Sequence, residues 1–385
     1  MHPKIKLLVK IIGLALIPPL AVWVPFFFRF ESVWGIPLPQ DGMATIVANY
    51  DGPLYIVVAK TLYNPSLIGG FSFTLPVIYY AAHFPLFPLI IKTFAAFFGF
   101  PYSMLFVSLF SSILAIYYFH KFILDFVSKK DALWVTLVFA IFPARWLIVR
   151  SVGSPEPLFV ASIIASVYYF RKEKYLTAGI WGAIAQLTKS PAILLFLAYF
   201  LSLLFPKLKK AALTTFSRWI TSFDLKKYLS ISLIPLSLLV VFTVYKIQLN
   251  DFLAYFHSGD NIHLFFPPFL IFNSTQPWVG TFWLEEVIFV YLFGLLGLFK
   301  LIKIQENELA WFVGIFFTSI LFISHRDVIR YALPIIPFLI AAYSDTIVKR
   351  EFKLTMVVLA IPIYLFTISY ISQNVMPISD WAPLL

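Results

Sequence analysis

Apolar runs of about 17–23 residues recur along the whole chain, and as helices each is long enough to cross a bilayer core of about 30 Å. That repetition constrains the fold more than any single motif. A transmembrane β-barrel would show alternating segments of roughly ten residues instead. The chain is 61% hydrophobic and 12% charged, whereas a soluble domain is about 45–50% apolar and about 25% charged. The expected fold class is an all-α polytopic membrane protein, a single integral domain over residues 1–385 with no sizeable soluble domain.

Placing the basic N-terminus "MHPKIKLLVK" in the cytoplasm gives a first, uncleaved span at about 7–28. Ten further spans are expected at about 102–124, 132–149, 155–170, 175–188, 191–205, 229–247, 284–302, 309–324, 329–347 and 354–372. This eleven-span order puts 20 of the 29 Lys and Arg residues on the cytoplasmic side, the sign that the positive-inside bias requires. The net charge of +11 is thereby a statement about topology, and no nucleic-acid partner is expected. The basic stretch 206–228 is expected to lie on anionic lipid. "HFPLFPLIIKTFAAFFGF", residues 83–100, is apolar enough to be a span. However, Pro85 and Pro88 near its start, Lys92 within it and Gly99 near its end leave about 14 usable helical residues. It is expected as a juxtamembrane helix on the outer face, with the stretch after Asp51 as a short surface helix beside it. Two outer loops result, 29–101 and 248–283.

Positive-inside logic leaves nine cations on the outer side, together with several acids. Asp51, Arg145, Arg150, Glu156, Lys189, Arg326 and Arg330 all fall at the outer edge, from separate places in the chain. Ionisable groups at that depth tend to face a shared cavity, because facing lipid costs about 2.5–3.5 kcal/mol on insertion scales. The expectation is one polar site roofed by both outer loops. Each residue also has a plain reading: Arg145 and Arg150 as snorkelling anchors, Glu156 as a helix N-terminal charge, Lys189 as a lipid-phosphate contact and Arg330 as an interfacial anchor. Asp51, in "NYDGP", could be a turn acid.

Other motifs say less. "HSGDNIH" spaces His257, Asp260 and His263 as a helical metal site would, but Gly259 and Asn261 favour a loop. "NST" at Asn273 matches a glycosylation acceptor. Gly179 with Ala183 fits helix packing. Cysteine is absent, so thiol and disulfide chemistry is excluded. No P-loop, dinucleotide fingerprint or zinc-protease motif occurs. No cofactor is called for, and no cluster asks for a divalent cation.

Five segments together resemble the GT-C glycosyltransferase superfamily, most closely the PIG-V-like, GPI mannosyltransferase II type and its prokaryotic relatives. "NYDGPLYIVVAKTLY" is similar to that family's W-D-x-x-x-Y-x-x-I-A segment, with Tyr50 where Trp is usual. "HFPLFPLIIK" resembles F-F-P-L-Y-P-L-L. "FPARWLIVRSVGSPEPLF" resembles F-P-x-x-F-x-x-x-x-Y-S-E-S-L-F and puts Glu156 on the family acid. "GAIAQLTKSPAILL" resembles A-x-L-T-R-P-x-G-x-L-L, with Lys189 in place of Arg, and "RYALPIIPFLIA" resembles the late R-Y-x-x-x-x-x-P motif. The segments keep the family's order over roughly residues 45–342.

The resemblance implies transfer of a sugar, a mannose-like hexose, from a polyprenyl-phosphate donor to a lipid, glycan or protein acceptor on the outer face. Asp51 would be the base and Glu156 the second catalytic carboxylate. Lys189, Arg326, Arg330, Arg150, Tyr55 and Tyr331 would bind substrate, and the partners would be the lipid-linked donor, its acceptor and membrane lipids. A flippase or transporter of a lipid-linked sugar, or a non-catalytic membrane subunit, stays open as the alternative.

Overall fold

The computed structural model describes residues 3–211, 224–273, 284–325 and 327–385. Arg326, part of the basic 206–228 stretch, the end of the second outer loop, and Ser274 and Thr275 of the "NST" tripeptide lie outside the described residues. Of the described residues, 75% are helical. Among the described residues its only sheet is the antiparallel hairpin of Ser32–Val33 with Ile36–Pro37. Trp34 and Gly35 turn that hairpin with φ of 53° and 79°, the double positive-φ pattern that two-residue hairpins favour.

Four helices among the described residues are long and apolar enough to cross a membrane: Pro3–Phe27, Leu86–Ile123, Leu225–Leu249 and Arg350–Gln373. A fifth follows if the pair Lys129–Ile141 and Ala144–Ser151, bent by 71°, is one span. Several other expected spans are short or broken. Glu156–Arg171 has 16 residues, Tyr175–Thr188 has 14 and Asn307–Leu321 has 15. At 1.5 Å per residue these reach roughly 21–24 Å, less than the hydrocarbon thickness of about 30 Å. The expected span 329–347 is divided into Val328–Ala332, Ile336–Ala342 and Ser344–Ile347. Pro334 and Pro337 each remove a backbone donor there, which is incompatible with an unbroken helical ladder.

Leu86–Ile123 is not a straight rod. Gly99 has φ 70° and ψ 165° inside it, a left-handed value that glycine adopts at little steric cost. The Phe94 and Phe106 rings lie 5.0 Å apart and those of Phe98 and Phe106 5.4 Å apart. In a straight helix twelve residues would separate Phe94 from Phe106 by about 18 Å. The first arm therefore folds back on the second, as the expectation of a separate helix over 83–100 requires. On that arm Phe87 and Ile91 are buried while Leu89 and Phe97 are exposed.

The short helix after Asp51 differs from expectation. Sequence reasoning seats Gly52–Thr61 on the surface, but Gly52 through Ala59 are all buried. Apolar side chains line every side of it, and a helix with no polar face is stable only when surrounded. Pro53 opens this helix where its missing N–H costs nothing. Gly52 must stay a glycine: a Cβ there would lie 2.5 Å from the Val47 carbonyl oxygen.

The ion pairs among the described residues divide by end of the bundle. Arg171–Glu306, Lys172–Asp125, Lys300–Asp345 and Lys353–Asp131 join residues expected on the cytoplasmic side. The pairs of Arg145, Lys189, His257, His263 and Arg330 join residues expected outside. No described pair links the two sets.

Gly52→Ala is expected to lower the melting temperature in detergent, since a backbone clash costs about 1–3 kcal/mol as overpacking does. Gly13→Ala, whose Cβ would make ordinary contact at 3.6 Å, serves as the reference. Equal melting of both variants would remove the close approach at Gly52.

Candidate functional site

Asp51 stands at the N-cap of the Gly52–Thr61 helix. Its carbonyl oxygen accepts from the amides of Leu54 and Tyr55, but its side chain makes no capping bond. The plain turn reading would have used the carboxylate as a cap. Among the described residues no hydrogen bond reaches it, and the side chain is 32% exposed. Arg330 Nη2 lies 3.9 Å from Asp51 Oδ2, beyond a hydrogen bond. Asp51 thus has a cation close by while both carboxylate oxygens keep acceptor capacity.

The turn that carries Asp51 is fastened from the far end of the chain. Asn49 is fully buried, and its amide nitrogen donates to the Ile371 carbonyl at 2.8 Å while its oxygen accepts from Asn374 Nδ2 at 3.2 Å. The Met376 amide donates to the Ala48 carbonyl at 2.7 Å. Asn49 was not singled out in the sequence. Its only signal there is a polar residue next to the acid, because its partners are more than 300 positions away.

Glu156 opens the Glu156–Arg171 helix and is buried. Its Oε1 accepts from Lys189 Nζ at 2.6 Å and from Arg330 Nε at 2.7 Å. Its Oε2 accepts from Ser154 Oγ. The Ser154 amide donates to Ser108 Oγ, which donates back to the Ser154 carbonyl, both at 3.1 Å, and Trp23 Nε1 donates to the Ser151 carbonyl at 2.6 Å. The turn 151–156 is thereby pinned to two neighbouring helices. Glu156 has one oxygen committed to two cations and the other to Ser154, which suits a positioning role better than proton transfer.

Lys189 ends the Tyr175–Thr188 helix in an extended conformation, and Arg330 lies in the short Val328–Ala332 helix. Their side chains are 27% and 17% exposed. Asp51, Glu156, Lys189 and Arg330 therefore converge, each from the end of a helix or a short helical turn. Tyr55, one helical turn after Asp51, is buried with its ring edge-on to His83 at 4.7 Å and to Phe87 at 5.2 Å. Tyr331 is half-buried and sets its ring against His325 at 5.5 Å.

Tyr50 explains part of the order around Arg330. The Arg330 guanidinium lies 4.3 Å from the Tyr50 ring centroid, a cation–π contact worth about 0.5–2 kcal/mol. The Tyr50 hydroxyl accepts from Arg145 Nη1 at 3.2 Å. An indole N–H can only donate, so tryptophan at this position could not take the Arg145 bond. Arg145 also stacks on Tyr370 at 3.9 Å. Its Nε sits 2.9 Å from Asp327 Oδ1, in ionic contact but off the line of a hydrogen bond.

Arg150 is not part of this cluster. It is fully buried, and its two Nη atoms donate to the carbonyls of Ala140 and Ala15. It crosslinks the backbone through both Nη atoms, and neither it nor Arg145 is exposed. The two arginines are five residues apart, about 140° around a helix, so one faces the cluster and the other does not. Arg326 lies outside the described residues.

His257, Asp260 and His263, whose spacing a helical metal site would use, do not share one face, and the segment after His257 is a loop. His257 Nδ1 pairs with Asp251 at 2.7 Å, while His263 Nε2 approaches Asp260 Oδ1 at 3.3 Å. Among the described residues no group of three His, Cys, Asp or Glu side chains is arranged to hold a metal ion. No protein-family model matches the chain, and no curated protein matches it in sequence.

Glu156→Gln is expected to destabilise the protein by about 3–5 kcal/mol, because it leaves buried cations without their counter-charge. Asp51→Asn, which breaks no hydrogen bond among the described residues, is expected to leave stability within about 0.5 kcal/mol. Thermal unfolding of both variants in one detergent decides this. A Glu156→Gln protein as stable as the parent would contradict the ion-pair account.

Proposed function

We propose that this chain is a membrane-embedded glycosyltransferase of the GT-C type, related to the PIG-V-like branch. It moves a mannose-like hexose from a polyprenyl-phosphate donor to an acceptor hydroxyl at the extracytoplasmic face. The observation that carries this reading is the unbonded, partly exposed Asp51 carboxylate beside Arg330, one of the two cations that Glu156 holds in place. A base with free acceptor oxygens and a cationic seat for a phosphate are the two parts that an inverting transfer requires.

In this mechanism Asp51 takes the proton of the acceptor hydroxyl as the oxygen attacks the anomeric carbon. The new glycosidic bond forms while the anomeric C–O bond to phosphate breaks on the opposite face, inverting the centre. The electron pair leaves with the lipid phosphate, whose charge Arg330 and Lys189 offset. Arg330 offers a fork of donors and Lys189 a point charge. Tyr50 and Glu156 hold the guanidinium in register and lower the entropy cost of presenting it.

The finer topology belongs to the same proposal: eleven spans, an N-terminus in the cytoplasm and the site outside. Short spans such as Tyr175–Thr188 would be accommodated by bundle neighbours and local bilayer thinning. The sorting of ion pairs by end supports the relative order of the internal spans between Asp51 and Lys353 and is the same for either orientation of the chain.

Asp51→Asn is expected to abolish transfer while the protein still folds and still binds donor. Full activity in that variant would remove Asp51 as the base. Lys189→Ala and Arg330→Ala are each expected to reduce kcat/KM for donor by about 10²-fold or more, the cost of losing one charge-stabilising group. Unchanged kinetics in both would sink the phosphate seat. With no native cysteine, single cysteines at positions 90 and 128 report topology directly. Position 90 is expected to label only from outside and position 128 only from the cytoplasm, and the reverse pattern would overturn the orientation.

A further inference from the structure

Beside the charged cluster lies a second group of polar side chains that the proposed mechanism does not use. It joins the first outer loop to the second. Tyr79 Oη donates to Asp260 Oδ2 at 3.0 Å, and His263 sits on the other oxygen of Asp260 at 3.3 Å. His83 is buried, 2% exposed, and its Nδ1 has no hydrogen-bond partner among the described residues. Its ring packs edge-on to Tyr55 and lies 5.9 Å from that of Tyr79. Asp51, Asp260, Lys189 and Arg330 all lie close enough to His83 to act on it electrostatically.

The group is held rigidly. Tyr63 Oη donates to the His83 carbonyl at 2.6 Å and Tyr245 Oη to the Ala81 carbonyl at 2.9 Å. These bonds fix the 3₁₀ turn Val77–Ala82 from two directions. Ser190 Oγ and Tyr255 Oη share a hydrogen bond of 2.7 Å, which fastens the second outer loop to the residue next to Lys189. Such restraint is costly for a loop that only covers a bundle.

The chemistry of the group is selective. Burial would raise the Asp260 carboxyl, but the hydrogen bonds from His263 and Tyr79 help to lower it to about 2. The ionised carboxylate is one-third exposed and, with about four lone-pair sites, keeps acceptor capacity beyond its two bonds. Burial lowers the His83 imidazole more than the neighbouring acids raise it, so at neutral pH it offers one donor and one acceptor. These groups are set among the aromatic faces of Tyr55, Tyr79 and Tyr80. A few placed polar atoms on an aromatic wall suit a ligand that is flat, apolar on its C–H face and hydroxylated at its rim.

We infer that Tyr79, His83 and Asp260 form a hydroxyl-reading subsite for a neutral sugar ring next to Asp51. The inference rests on the glycosyltransferase reading and adds to it the residues that choose the sugar. The ring belongs to the donor or to the acceptor, and the two sources are separable by binding.

The test uses the full-length protein in detergent and isothermal titration with three probes: a short-chain polyprenyl phosphate, its mannosylated form and an alkyl mannoside. The variants are Asp260→Asn and Tyr79→Phe, the second keeping the ring and removing only the hydroxyl. Bare polyprenyl phosphate is expected to bind both variants within twofold of the parent. A loss of about tenfold or more for the mannosylated lipid places the ring on the donor, and the same loss for the alkyl mannoside places it on the acceptor. Either result supports the subsite. Unchanged affinity for all three probes overturns it, as does a parallel loss for bare polyprenyl phosphate in both variants. A parent protein that binds neither lipid phosphate overturns the underlying reading, and the subsite with it.

Discussion

One buried carboxylate organises the outer end of this bundle. Glu156 takes Lys189 and Arg330 on one oxygen and Ser154 on the other. Removing two cations from water costs several kcal/mol each, and the attraction to Glu156 recovers that only in good geometry. The geometry is supplied by the pinned 151–156 turn, by the break between Thr188 and Ser190, and by the short Val328–Ala332 helix, the first of the proline-broken segments. Without Glu156, two like charges would share a small volume, and neither Tyr50 nor Asp51 would have a fixed cation to face.

The surrounding structure follows from where polar groups can end in an apolar bundle. Asp51, Glu156, Lys189 and Arg330 each sit where a helix begins or ends, and helix ends are where backbone and charge can both meet water. Tyr50, with φ of 49°, turns the chain between Val47 and Gly52 so that its ring meets Arg330 and its carboxylate neighbour stays unbonded. A bulky residue in that left-handed region is uncommon. Here the Arg145 bond and the cation–π contact hold it, and the Asn49 anchor to Ile371 and Asn374 secures the turn below. The first loop, the second loop and the segment after Gln373 all converge on the same few residues.

Much of this was legible in the sequence because a membrane makes charge expensive. Removing the cations that topology requires leaves a short list, and Asp51, Glu156, Lys189 and Arg330 on that list do meet. Arg150 was on it for the same reason and does not, because charge accounting gives depth and not facing, and Arg150 lies about 140° around the Ala144–Ser151 helix from Arg145. The Gly52–Thr61 helix could have been read as buried, since it has no polar side. Asn49 and His83, and the pairings made by Tyr50 and Asp260, were beyond reach. Their partners lie in other loops, and nothing periodic links position 79 to 260 or 49 to 371. Four helices, or five with the bent pair, are long enough to cross among the described residues; at the shorter ones apolar composition predicts lipid or protein surroundings equally well.

The central claim is that the cluster around Asp51 transfers a sugar from a lipid phosphate with inversion. The most direct measurement incubates the purified protein with a small set of polyprenyl-phosphate sugars and an alkyl glycoside acceptor, and determines the anomeric configuration of any product. The account predicts that one donor is consumed, that free polyprenyl phosphate is released and that the product carries the inverted configuration. Consumption with retained configuration, or no donor consumed across the set, would contradict it.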